Sequence, residues 1–139
     1  MNTFSKSILI KADPESAFEA WTALENIPDY MKGVQEVQQE ADDRSRWKMV
    51  APDGAELEWV TQITRNEPPS RFAWSTVEGD VNTSGQVTFH QLDDGQTEIT
   101  MMVNFGEEDQ EPAAALAFPD PEEQVMQTLR DFKAMVEGR

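Results

Sequence analysis

The chain has no cysteine, so disulfides and thiolate metal sites are excluded. It has one histidine, one tyrosine and eleven lysines and arginines against twenty-seven acids, for a formal net charge of -16. A field of that sign repels phosphate backbones and anionic lipid head groups. Neither nucleic acid nor a membrane surface is therefore an expected partner. No run approaches the roughly 20 apolar residues that a membrane helix requires. The opening MNTFSKSILIKAD has only a short apolar core and no cleavage-site pattern, so it does not read as a secretory leader. The expected location is the cytoplasm. There is no glycine-rich phosphate loop and no nucleophile elbow, and a lone histidine leaves no basis for a Ser-His-Asp arrangement. Asp42-Asp43 and Asp93-Asp94-Gly95 lack the spaced acids of a calcium loop and read as hairpin turns. No metal and no cofactor is expected.

The chain is long enough, at 139 residues, for one domain with a real core, taken as residues 1–139. Residues 3–12 alternate as a strand, with Ile8 and Ile10 on one face. Asp13-Pro14 then combines a good N-cap with a proline at the first helical position. Ala17, Phe18, Trp21 and Leu24 follow at helical spacing. Pro28 prevents a simple continuation, and a second short helix over about 28–32, ending at Gly33, fits. Strand patterns fill the middle, separated by turn signals at Asp42-Asp43, Pro52-Asp53-Gly54, Pro68-Pro69, Glu78-Gly79-Asp80 and Asp93-Asp94-Gly95. An acidic, alanine-rich connection over 106–120 has room for a helical turn at 113–118. Asp120-Pro121-Glu122-Glu123 repeats the cap signature. Val125, Leu129, Phe132 and Val136 then mark a long amphipathic helix stopped at Gly138.

The order is strand, two short helices, six strands and one long helix. Its motifs are Trp21-Thr22 with Leu24-Glu25-Asn26-Ile27-Pro28, then Tyr30-Met31-Lys32-Gly33-Val34, Ser45-Arg46-Trp47, Glu58-Trp59, Ala73-Trp74-Ser75, and Leu129-Arg130-Asp131-Phe132-Lys133. In this order the chain resembles the START/Bet v 1-like superfamily of helix-grip proteins. More closely, it resembles the bacterial polyketide cyclase/dehydrase and lipid-transport (SRPBCC) group. The resemblance implies an α+β fold, with a curved seven-stranded antiparallel sheet wrapped around the long C-terminal helix. It also implies that the two short helices form a V supporting that helix, with Pro28 at the bend. Tyr30 and Met31 would then face the space between helix and sheet.

The face with the large apolar residues must be the inner one. From the sheet, the expected cavity lining is Trp47, Trp59, Thr61, Trp74, Phe89, Gln91, Met101 and Val103. Tyr30, Met31, Met126 and Leu129 come from the helical segments. Phe105 is also expected inside. The adaptable thioethers and flat indoles suit an irregular apolar ligand, and they equally suit a filled core. General acid–base work needs a positioned titratable group, and this face offers almost none. His90 falls on the outer face, and Tyr30 is the remaining candidate proton donor.

Three functions are compatible with these features. The first is binding or transport of a small hydrophobic ligand, such as a lipid, isoprenoid, quinone or polyketide-like ring, gated by residues 77–82 and 106–120. The second is an enzyme of the cyclase or dehydratase type using Tyr30. The third is a protein-interaction domain without a ligand. The expected state is a monomer or weak homodimer.

Overall fold

Local chemistry sets the first turns of the chain. Strand β1, Thr3–Ile10, alternates exposed and half-buried residues. The Asp13 carboxylate accepts the Ser16 amide at 2.7 Å and starts helix α1, Pro14–Thr22. This side-chain cap satisfies one of the amides that a helix leaves unpaired at its N-terminus. Helix α1 buries Ala17, Phe18, Ala20 and Trp21. A 3-10 turn, Leu24–Asn26, leads into the short helix α2, Ile27–Tyr30. Helix α2 thus begins one residue before Pro28 and ends before Gly33, whose φ of 93° is open to glycine.

Six strands follow: β2 Val34–Ala41, β3 Arg44–Val50, β4 Glu56–Glu67, β5 Arg71–Gly79, β6 Ser84–Gln91 and β7 Thr97–Asn104. With β1 they form a seven-stranded sheet in the order β1-β7-β6-β5-β4-β3-β2. Every pairing is antiparallel. Strand β5 runs through Glu78 and Gly79, where the sequence had indicated a turn. Register shifts interrupt the β2–β3 and β4–β5 pairings, and such bulges add bend and twist to a sheet. The apolar face is covered by the long helix α3, Pro121–Glu137, capped by Asp120 and ending at Gly138.

The computed structural model describes residues 3–31, 33–79, 82–92, 95–104 and 120–138. Phe105, the 113–118 turn, the 106–119 part of the supposed gate, Asp80 and Val81 of the other gate, the Asp93-Asp94 turn and the side chain of Leu24 lie outside them. Helices and sheet meet at an aromatic junction. Phe132 of α3 is fully buried, and its ring stands edge-on to Trp21 at 5.0 Å and to Tyr30 at 5.1 Å. The chain break at Pro28 is thereby explained: it aims Tyr30 back into the wedge between α1 and α3. No helix among the described residues is long and apolar enough to cross a membrane.

Candidate functional site

Between the sheet and the helices lie two adjoining chambers that share Met31, Trp47, Thr61 and Trp74 as walls. The smaller, about 60 Å³, runs toward α3 and is lined by Val34, Trp59, Met101, Val103 and Val125, with Thr83, Gln124 and Thr128 as its polar lining. The larger, about 190 Å³, lies under α1 and α2. Its floor includes Trp21, Ile27 and Tyr30, and its exposed rim includes Gln39, Asp42 and Asn66.

Strand alternation brings the walls together. Trp47 and Trp59 are cross-strand partners, and their rings stack with centroids 5.9 Å apart and planes 18° off parallel. The Trp47 indole N–H donates to the Thr61 hydroxyl at 3.0 Å, so the partition between the chambers is held by a hydrogen bond. Trp74 lies over Gly85, its partner in the β5–β6 register. A Cβ at Gly85 would fall 2.6 Å from the Met102 carbonyl oxygen and 2.9 Å from the Trp74 ring. Only glycine leaves the room that sets Trp74 in this position.

Of the residues expected from the sequence, Met31, Trp47, Trp59, Thr61, Trp74, Met101 and Val103 come together around the smaller chamber. Tyr30 lines the larger. Phe89 instead fills the core, edge-on to Phe18 at 5.4 Å. Leu129 is fully buried in the same core, and Met126 packs half-buried against it. Helix α3 presents Gln124, Val125 and Thr128 to the smaller chamber in their place. The placement of Gln91 needs correction. It has inward parity but is exposed at the very end of β6, opposite Thr97. His90 is exposed, on the outer face.

Tyr30 as a proton donor also needs correction. It is 1% exposed, and its hydroxyl donates to the Trp21 carbonyl at 3.0 Å. Burial pushes its pKa far above the ordinary tyrosine range. Its proton ties α2 to the end of α1 through the Trp21 carbonyl.

Several lining residues were missed by sequence reading. Ser45 shares strand parity with Trp47 and was legible on that ground. Gln39, Asn66 and Thr83 required the cross-strand register. That register aligns Gln39 with Ser45, Ser45 with Thr61 and Thr61 with Thr76, so one polar row crosses an otherwise aromatic face. The Thr76 hydroxyl is already committed, donating to the Thr83 carbonyl at 2.9 Å. No group of acids and histidines suited to a metal ion occurs among the described residues. The arrangement can hold an apolar body and meet a few polar substituents, and among the described residues it presents no placed acid–base pair.

Known proteins are similar to this chain in sequence or in architecture. Over 105 residues the chain is 33% identical to an uncharacterised 17.2 kDa protein of Streptomyces lincolnensis, a match covering 76% of this chain and 69% of that one. A START superfamily protein of Mycobacterium smegmatis has the same fold, with a TM-score of 0.77 at 13% identity and 99% of each chain covered. The di-domain ARO/CYC protein StfQ of the steffimycin biosynthetic pathway matches with a TM-score of 0.73 at 14% identity, over 96% of this chain and 44% of that one. At such identities these two structures speak for the fold alone. The sequence profile of the polyketide cyclase/dehydrase and lipid transport family matches residues 1–137, and the chain belongs to that family.

Proposed function

We propose that this protein binds a small, mostly apolar molecule in the space between the sheet and the C-terminal helix. The observation that carries the reading is the paired chamber walled by Trp47, Trp59, Trp74, Met31, Met101 and Val103. An apolar cavity of roughly 150 Å³ stays dry and accepts benzene. The larger chamber, at about 190 Å³, is of that order. A compact ligand of one or two fused rings is of the size this volume suits. A longer ligand needs both chambers, which means displacing the Met31 and Trp47 side chains between them.

Native mass spectrometry of freshly purified protein is the first test, with an added mass that disappears on denaturation as the expected result. Titration with naphthalene, followed by quenching of tryptophan fluorescence, is the second. Saturable binding is expected, weakened about tenfold by Ile63→Phe, which narrows the larger chamber at a modest packing cost. If naphthalene shows no saturable binding, the reading fails. The cyclase-type alternative receives less support, because Tyr30 is spent on the Trp21 carbonyl. It would have to rely on orienting a substrate.

A further inference from the structure

The cavity has a consistent electrical character. The Gln39–Ser45–Thr61 row crosses the wall between its aromatic surfaces. The Thr61 oxygen accepts the Trp47 indole proton, which leaves the Thr61 O–H free to donate to a ligand. Asp42 stands on the rim near the open end of this row. Its neighbour Asp43 is held by the Gln62 amide at 3.0 Å, whereas none of the ion pairs among the described residues includes Asp42. No lysine, arginine or histidine lines either chamber among the described residues. Of the chain's eleven basic residues, only Lys32 and Arg139 fall outside them.

A carboxylate or phosphate entering this space gives up its hydration and meets no cation among the described residues, an uncompensated cost. The -16 net charge adds repulsion on approach. A hydroxyl or carbonyl, by contrast, finds partners in Thr61, Ser45 and Gln39, and an ammonium group gains Asp42. We propose that the cavity is charge-selective, an inference that rests on the ligand-binding reading above. It takes amphiphiles with a neutral or cationic polar head, held at the Gln39–Ser45–Thr61 row and Asp42, with the apolar part against Trp59, Met101 and Val103. It rejects anionic amphiphiles, fatty acids and phospholipids among them.

The test uses one bicyclic aromatic body with different heads: naphthalene, naphthylmethanol, naphthylmethylamine and naphthoate, each titrated against the whole protein at neutral pH. The alcohol and the amine are expected to bind at least about tenfold tighter than the carboxylate. Asp42→Asn, in an exposed turn, is expected to narrow the affinity ratio of amine to alcohol. Naphthoate binding as tightly as the alcohol would overturn the charge selection while ligand binding stood. An amine-to-alcohol ratio unchanged in Asp42→Asn would overturn the role of Asp42. Failure of naphthalene itself would overturn the ligand-binding reading and this inference with it.

Discussion

Tyr30 shows how a side chain with chemical potential becomes structural. Its hydroxyl closes the Trp21 carbonyl at 3.0 Å, and its ring lies 5.1 Å from those of Trp21 and Phe132. Tyr30→Phe leaves that buried carbonyl unpaired and should cost about 1–3 kcal/mol in denaturant unfolding. Burial raises the folded-state pKa, so the stability it confers is fully present below the unfolded-state value of about 10. Above that pH the unfolded chain releases the proton and the folded chain keeps it, so stability falls as pH rises. Tyr30 is the only tyrosine, and absorbance should show no tyrosinate until the chain unfolds. A normal titration in the folded protein would mean that the hydroxyl is not enclosed. Tyr30→Phe should flatten the alkaline loss of stability.

Helix α3 decides whether the sheet has an interior. Its Val125, Leu129 and Phe132 are buried with at most 1% exposure, at the spacing of one helical stripe. Phe132 joins α3 to α1 and α2 through its ring contacts with Trp21 and Tyr30. Phe132→Ala should cost about 3–5 kcal/mol in denaturant unfolding, because its neighbours on the two short helices cannot all collapse into the gap. A loss below about 1 kcal/mol would mean that α3 does not clamp the helices. The stripe was legible in the sequence, as were both Asp-Pro helix starts, since a cap and a proline act within a few residues. The division of α3 between core and cavity was not. Val125 and Thr128 face the smaller chamber, while Leu129 one turn along faces closed core, a difference set by what lies opposite each position. Gln91 was misread for a related reason: parity assigns a face, but burial ends where the covering elements end.

At the scale of the whole molecule, no Asp or Glu among the described residues is buried. Arg46 gathers Glu40 and Glu58 on the outer side of β2, β3 and β4, while the remaining acids outnumber their partners. Self-repulsion at -16 weakens the compact state and opposes association, and salt screens it within about 10 Å at 0.1 M. Raising potassium chloride from about 0.05 to about 1 M should therefore raise the Tm, with the protein monomeric at low salt. A Tm that is flat or falls would indicate that the acids are already balanced by local pairing. The same field acts on anything that approaches the cavity rim, where Asp42 adds to it.

By itself the sequence determined the tryptophan and methionine part of the walls, the order of the elements and the sign of the field. Those properties follow from residue identity, from alternation and helical spacing, and from charge, all of which are local or additive. Tertiary structure alone decided that Tyr30 spends its proton on Trp21 and that Gln39, Ser45 and Thr61 form one row. It also decided that the space is divided by Met31, Trp47, Thr61 and Trp74. Each of these depends on register across strands far apart in the chain or on the approach of separate elements, and a β-bulge of one residue is enough to change them.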